Sequence, residues 1–355
     1  MNKRKQGTLG ARLAVATAIT LALAGCGGGG GDDSTPVPAV TLVLDAGNSE
    51  TVAHASSAAI LASSPAQSLP VSGLAADRST ALGQSSLQQA GWLGRIIAIA
   101  RQPQRVKAWT ARSSRAQPLA VVGPIEEPCT VSGTISVTFD DRDNDEAPSV
   151  GDVLTLVLDA CMEDASETLD GLAVVTYSEI TANSVGALMK LTALSDTTER
   201  HSSRMNGSMQ LSYRIVDSNV EVTRLAAVGA VVVDVSTHLP FDDTVTLADG
   251  FVQELTYDAA AYAPGSATPG LSTLTVSGML DSAAAGGTVE VSSGAEAPIK
   301  TADASQYPYA GELVVQGKSG TLVLTAVSEA VRLELDANDD GTPETSDLHD
   351  WDWLY

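Results

Sequence analysis

From residue 129 to the end of the chain, hydrophobic and polar residues alternate in short runs. In one run Ile135, Val137 and Phe139 are separated by serine and threonine. This period of two is typical of a strand that buries one face. Similar runs predict strands over 153–158, 209–215, 231–235, 244–247, 252–257, 272–280, 288–292, 313–316, 321–327 and 331–335, and a short strand over 41–46.

Short turn sequences separate these runs and determine the fold class that we expect. They are Asp170-Gly171, Asp217-Ser218-Asn219, Asp249-Gly250, Gly286-Gly287 and Gly317-Lys318-Ser319-Gly320. Connections this short leave no room for helical crossovers, so neighbouring strands should be antiparallel. About ten successive strands predict a mainly β fold, an antiparallel meander that forms a barrel, a half-barrel or a sandwich.

The pattern predicts one amphipathic helix, within residues 82–107, and Pro103 marks its end or a kink. Its apolar face consists of Leu93, Ile96, Ile97 and Ala100. The stretch is basic, so it either packs on the sheet or lies on a membrane surface. We expect it to pack on the sheet, because a sheet face must be covered. Residues 52–80 are rich in serine, alanine and proline and are expected to form a loop.

The chain ends with alternating aromatic residues, Trp351, Trp353 and Tyr355. A terminal aromatic residue on an alternating strand resembles the assembly signal of outer-membrane barrels, but the strands lack the aromatic girdles of such barrels. We therefore expect these rings to pack under the sheet or on the helix.

The chain is strongly acidic, and the acidic residues are concentrated in its β-rich part. It has 20 Lys and Arg residues against 43 Asp and Glu residues. Residues 126–355 hold 9 of the basic and 38 of the acidic residues. A body this acidic repels nucleic acid and anionic lipid headgroups, so we expect neither as a ligand. Cations or a basic protein partner are the expected ligands.

The first 25 residues resemble the signal peptide of a bacterial lipoprotein. Basic residues precede the apolar run Leu13–Ala24, which is too short to span a bilayer. The run leads into Leu23-Ala24-Gly25-Cys26, which is similar to a lipobox. The resemblance implies cleavage before Cys26 and a diacylglycerol and palmitate anchor on that cysteine. The alternative is an ordinary cleaved signal peptide followed by a chance cysteine.

The same resemblance implies a location. Gly27 rather than Asp follows the cysteine, which implies delivery to the outer membrane, on its periplasmic face or at the cell surface. The chain then divides into a signal peptide (1–25), a tether rich in Gly, Asp and Pro (26–38), an N-terminal segment with loop and helix (39–125) and an acidic antiparallel β domain (126–355). The glycine-rich tether is expected to remain flexible.

The chain has three cysteines, and acylation of Cys26 leaves Cys129 and Cys161. In an oxidising envelope compartment these two are predicted to form a disulfide. The alternatives are a pair of metal thiolates or a redox couple. Both are disfavoured, because the spacing is far from Cys-x-x-Cys and no histidine lies nearby in the sequence.

Two acidic loops resemble the calcium loop of EF-hand proteins, although neither is flanked by predicted helices. Ca²⁺ takes six to eight oxygen ligands, and alternate carboxylates on a tight loop supply them. The first loop has Asp141, Asp143, Asp145, Ser149 and Asp152 at positions 1, 3, 5, 9 and 12. The second has Asp336, Asn338, Asp340, Thr342, Glu344 and Asp347 at positions 1, 3, 5, 7, 9 and 12.

Only the second loop has glycine at position 6, where Gly341 stands and the first loop has Glu146. The sequence therefore favours the second loop as the better structural Ca²⁺ site. The alternative is that Asp and Asn simply occupy solvated turns between strands.

No motif predicts a reaction. The four histidines are scattered, and the chain has neither a Gly-x-Ser-x-Gly nucleophile motif nor a phosphate-binding glycine loop. The order of helix, cysteine-bracketed Asp-rich hairpin, strand region and terminal Leu333–Gly341 segment resembles uncharacterised β-rich lipoproteins of Gram-negative bacteria. That resemblance implies no activity.

Three functions remain open at this point. The first is a non-enzymatic structural or binding module of the envelope, stabilised by a disulfide and by Ca²⁺. The second is a periplasmic carrier, in which a half-barrel with a helical lid shelters an apolar small molecule. The third is an envelope hydrolase without a recognisable motif, since catalytic triads assemble from distant residues.

Overall fold

The computed structural model of this chain describes residues 39–65 and 92–100 and, between 121 and 354, all but 146–147, 163–164, 166, 200, 238–240, 295, 303–304, 306 and 328–329. The signal peptide, the tether and the lipidation site at Cys26, all predicted from the sequence, lie outside the described residues. The described chain folds into two α-helices, sixteen strands and a short C-terminal 3₁₀ helix.

The helices are α1 (Ser49–Ala62) and α2 (Trp92–Ala100), and the 3₁₀ helix is Trp351–Trp353. The strands are β1 (Val121–Pro128), β2 (Ser132–Asp140), β3 (Val153–Met162), β4 (Glu167–Ile180), β5 (Ser184–Thr198), β6 (His201–Ile215), β7 (Val220–Thr237), β8 (Phe241–Leu247), β9 (Val252–Tyr262), β10 (Pro269–Ser282), β11 (Gly287–Ser293), β12 (Ile299–Ala302), β13 (Glu312–Gln316), β14 (Thr321–Val327), β15 (Ala330–Asp336) and β16 (Thr345–Asp350). Neither helix has the length and apolar character needed to cross a membrane, within the described part of the chain.

The sixteen strands form one sheet, in which sequential neighbours pair antiparallel from β1 at one end to β16 at the other. β8 and β9 run one after the other along β7 and β10, so together they take the place of one strand. β11 and β12 likewise lie one after the other along β10, and both pair with it. The mainly β, antiparallel meander predicted from the sequence is confirmed. The two strands that flank the first acidic loop pair as predicted, as β2 and β3.

One face of the sheet is buried and carries the hydrophobic core. In β5 the alternation is clear, since Ala187, Met189 and Leu191 are buried while Leu188 and Lys190 are exposed. Helix α1 contacts β7, β8, β10 and β14, and α2 contacts β4 and β5. The apolar face predicted for the helix is buried in this core, which confirms its packing on the sheet: Leu93, Ile96, Ile97 and Ala100.

The prediction of a loop over residues 52–80 is wrong for residues 52–62, which belong to α1. The helix lacks a distinct apolar stripe, because alanine and serine occupy most of its own positions. Several of these small residues are buried, among them Ala53, Ser56 and Ala59. Small side chains let a helix approach a sheet closely, so α1 buries most of its surface without the amphipathic pattern that identifies a surface helix.

Polar contacts hold both ends of the α1 segment to the sheet. Before the helix, the Leu44 N–H donates to the carbonyl of Ser319, and the Lys318 N–H donates to the carbonyl of Leu42. After it, the Gln253 side chain of β9 donates to the Ser63 hydroxyl over 2.5 Å. The short strand predicted at 41–46 is reduced to one bridge between Val43 and Ser319.

A row of β-bulges crosses the sheet from β2 to β10. The dipeptide Asp170-Gly171, predicted as a turn between strands, lies inside β4 at such a bulge, so that prediction is wrong. Asp249-Gly250 separates β8 from β9 without reversing the chain. A bulge bends a strand and increases its twist. Residues with positive φ mark the row: Gly133, Ala160, Gly171, Ala193, Gly207, Gly229, Gly250 and Gly278.

Three side chains tie neighbouring bulges together in the same way. Each is the Asp or Asn of an Asp-Gly or Asn-Gly pair, and its Oδ1 accepts the backbone N–H of a positive-φ residue on the preceding strand. The pairs are Asp170 with Ala160 (2.7 Å), Asn206 with Ala193 (2.8 Å) and Asp249 with Gly229 (2.8 Å). These dipeptides therefore bend the sheet, whereas in a hairpin they would end a strand.

Candidate metal centre

The β2–β3 hairpin carries the disulfide at one end and the first acidic loop at the other. Cys129 and Cys161 are bonded, with their Cα atoms 5.5 Å apart, and both are buried. Cys161 is in β3, near the pairing of Ser132 with Met162 that begins the hairpin. The predicted disulfide is confirmed, and its cysteines are not free to bind metal as a thiolate pair.

At the other end of the hairpin, the loop between β2 and β3 brings three carboxylates together. One oxygen from each of Asp141, Asp143 and Asp145 lies within 4.8 Å of the others. Asp141 is buried, whereas Asp143 and Asp145 are exposed. The group therefore has one carboxylate at the base of the loop and two facing solvent, and it can hold a metal ion.

Buried Asp152 fixes the shape of this loop. Its Oδ1 accepts the N–H of Arg142 over 2.9 Å, and its Oδ2 accepts the N–H of Ser149 over 2.7 Å. The Ser149 hydroxyl in turn donates to Asp143 Oδ2 over 2.8 Å. Asn144 adopts a φ of 59°, a left-handed conformation that Asn tolerates better than most residues. Asp152 and Ser149, both predicted ligands, thus serve to hold the loop closed.

A hydrogen bond favours the ionised form of one carboxyl group in the loop, that of Asp143. The hydrogen bond from Ser149 lowers the pKa of Asp143 below its ordinary value. Negative charges at this separation repel one another. A bound divalent cation would turn this repulsion into attraction.

Tyr177 of β4, which no sequence pattern singled out, is hydrogen-bonded through its backbone to the end of the loop. Its N–H donates to the carbonyl of Asp152, and its carbonyl accepts the N–H of Gly151. The ring is buried, and burial together with the nearby Asp152 charge raises the pKa of Tyr177 far above its ordinary range. The pairing of β3 with β4 brings this tyrosine to the loop, and no local sequence motif indicates the register of that pairing.

The second acidic loop, between β15 and β16, uses its oxygens differently. Asp336 accepts the N–H groups of Asp340 and Gly341, and Glu344 accepts the N–H of Ala337 over 2.6 Å. Asn338 Oδ1 and Asp340 Oδ1 likewise accept backbone N–H groups, from Asp340 and Thr342. Asp347 lies in β16, paired with Leu333.

Among the described residues, no three His, Cys, Asp or Glu side chains of this second loop converge as those of the first loop do. Its side chains instead cap the backbone of a tight turn, with Gly341 at a φ of 83°. The structure thus groups potential ligands in the first loop, although the sequence favoured the second.

Two of the four histidines, which are far apart in sequence, meet at the C-terminus. The ring centroid of His54, in α1, lies 4.3 Å from that of Trp353, and the centroid of His349 lies 3.9 Å from it. Trp351 is buried and stacks with Tyr307. Trp353 therefore packs on α1, a helix that the sequence did not predict, whereas the expected contact was with the sheet or with the helix predicted within residues 82–107.

Comparison with protein-family models, with curated proteins and with solved structures finds no match for this chain. The function must therefore be inferred from the loop, the disulfide and the surfaces described above.

Proposed function

We propose that this protein is a lipid-anchored lipoprotein of the bacterial envelope that acts as a non-enzymatic structural or binding module. In this proposal, Ca²⁺ bound in the β2–β3 loop and the Cys129–Cys161 disulfide stiffen the two ends of one hairpin. The lipobox-like segment at Cys26 supports the anchor, and the disulfide suits an oxidising compartment.

The observation that carries the proposal is the convergence of Asp141, Asp143 and Asp145 within 4.8 Å. Hard oxygen ligands on a short loop favour Ca²⁺, which tolerates irregular coordination better than Mg²⁺. Three carboxylates leave at least three positions for backbone carbonyls and water. Such a site holds its ion weakly, with a dissociation constant on the order of 0.1 to 1 mM, as in extracellular modules.

The role of the ion is structural. The loop connects two long strands, and the carboxylates otherwise repel one another at its tip. Binding of Ca²⁺ to the folded state alone stabilises that state by mass action, by about 1.4 kcal/mol at ten times the dissociation constant.

Isothermal titration calorimetry with CaCl₂ tests the proposal and distinguishes the two loops. The full chain in detergent should bind one Ca²⁺ per molecule. Asp143→Asn should abolish the heat, because it removes a charged ligand from the exposed part of the loop. The matched variant Asp340→Asn should bind as the wild type does. Loss of binding in Asp340→Asn alone would show that Ca²⁺ binds in the second loop. The absence of heat in the wild type would refute Ca²⁺ binding.

A groove beside α1 favours the carrier as a second candidate. It lies between the end of α1 and strands β6 and β7, and its cavity volume is about 40 Å³. Its walls are mainly apolar, and they include Leu61, Ala62, Val235 and Leu354. Apolar concavities with a few polar groups are the usual form of small-molecule sites. Native mass spectrometry of protein released from detergent tests this candidate: a carrier retains lipid that Val235→Trp should displace, whereas a structural module shows the mass of the chain alone.

A further inference from the structure

The C-terminal turn is held against α1 by a half-buried histidine. His54 packs between Phe241 of β8, at 5.3 Å between ring centroids, and Trp353, at 4.3 Å. The backbone of Leu354, a buried residue, acts on the ring and raises the pKa of His54. These contacts join the last described residues of the chain to a helix some 300 positions earlier.

One ring nitrogen of His54, Nδ1, is shielded from solvent. Nδ1 is buried and has no hydrogen-bond partner among the described residues. Neutral imidazole tolerates this arrangement, because Nδ1 is then an acceptor without a proton. Protonation would place a buried N–H and a positive charge at Nδ1, and no acceptor in the described part of the chain would satisfy them.

From these contacts we infer that His54 is a proton-sensitive latch: when it takes up a proton, the turn Trp351–Leu354 detaches from α1. Because Leu354 also lines the groove beside α1, release of the turn opens that groove at one end. The inference concerns a conformational change and holds whether or not the loop binds Ca²⁺.

The groups around His54 determine whether its pKa is raised or lowered. Burial lowers the pKa of His54, and charge repulsion from His349 of β16 lowers it further, while the Leu354 hydrogen bond and Glu50 on α1 raise it. The residues that β8 and the C-terminal turn place against the ring, Phe241 and Trp353, are uncharged. Asp352 of the turn accepts a hydrogen bond from the Tyr307 hydroxyl.

The sign of the pH dependence follows from this lowered pKa. In the detached state His54 regains its ordinary pKa, so that state binds more protons as the pH falls below that value. The latch is therefore closed above the ordinary pKa of His54 and loosens as the pH falls towards the lowered pKa of the closed form. Cation–π attraction to Trp353 opposes release, but the two rings are tilted by 50° and do not stack face to face.

Hydrogen exchange measured by mass spectrometry on the full chain in detergent tests the latch. Exchange is compared at pH 7.5 and pH 5.5, with labelling times corrected for the intrinsic rate. In the wild type, peptides from residues 345–354 and from α1 should exchange faster at pH 5.5 by about threefold or more. Peptides from β3–β6 should not change.

Two variants separate the latch from general acid sensitivity. His54→Phe keeps an aromatic ring but takes no proton, so it should lose the acceleration. His201→Gln removes a histidine at the β5–β6 turn and should keep it. Acceleration that persists in His54→Phe, or that is absent from the wild type, overturns the inference.

Should His54→Phe fail to fold at pH 7.5, the wild type alone decides the question. Its imidazole titration, followed by NMR, must share a midpoint with the acceleration of exchange in residues 345–354. A midpoint for exchange that differs from the titration of His54 also overturns the latch.

Discussion

Gly171 of β4 lies so close to Ala193 of β5 that a Cβ atom on Gly171 would be 2.6 Å from the Ala193 carbonyl oxygen. Gly171 has a φ of 119°, and Ala193 has a φ of 49°. The two residues face each other within the row of bulges, so each strand bends where its neighbour bends. This contact is one of several that set the curvature of the sheet.

Gly171→Ala should destabilise the protein strongly, by about 3 kcal/mol or more, because the methyl group meets backbone and the φ is strained. Gly250→Ala is the matched control, since it has a φ of 77° but open space around the added atom. It should cost only about 1 to 2 kcal/mol. Urea unfolding measures both, and equal losses would show that close packing of the bulges is unimportant.

Removal of the disulfide should loosen the hairpin without abolishing the fold. Cys129 and Cys161 are 32 positions apart, so a Cys129→Ser/Cys161→Ser variant should lose roughly 3 to 4 kcal/mol through greater freedom of the unfolded chain. Wild type treated with reductant is the control and should shift its urea midpoint similarly. A variant as stable as the wild type would mean that the bond does not constrain the unfolded state.

Gln253→Leu should free the end of α1. Its side-chain amide donates to the Ser63 hydroxyl and to the Ile60 carbonyl, and the residue is fully buried. The variant should cost about 1 to 2 kcal/mol, because these buried acceptors lose their donor. Gln210→Leu, on the outer face of β6, should have little effect. Hydrogen exchange in α1 is the measurement, and unchanged protection of residues 58–64 in Gln253→Leu would contradict this role.

Ser149→Ala should raise the pKa of Asp143 towards its ordinary value, because the Ser149 hydroxyl is the main cause of the lowered pKa. Ionised Asp143 contributes stability above its ordinary pKa, and this contribution is lost as the pH falls through the lowered value. NMR titration of the side-chain carboxyl carbon reports the shift directly. Ser346→Ala, beside Glu334, is the control. A pKa for Asp143 that stays unchanged in Ser149→Ala would show that another group lowers it.

The sequence predicted the meander well, because alternation in strands such as β6 and β14 reflects burial of one face. It could not predict the bulges, since Asp170-Gly171 and Asn206-Gly207 are also favourable hairpin turns. Only their recurrence on alternate strands distinguishes the two uses. Helix α1 was missed because Ala53, Ala59 and their small neighbours form no apolar stripe.

The candidate site was predicted in composition but not in detail. Spacing identified both acidic loops, yet it could not show which carboxylates converge. The glycine at position 6 favoured the second loop, while in the first loop Asn144 supplies a left-handed turn. Tyr177 reaches the loop through the pairing of β3 with β4, and spacing within one loop carries no information about such a partner.

The most direct test of the Ca²⁺ site is a high-resolution electron-density map of crystals soaked in excess CaCl₂. We expect a strong peak between Asp141, Asp143 and Asp145, with oxygen ligands at about 2.3 to 2.6 Å. A map that shows only water between these three carboxylates would contradict it.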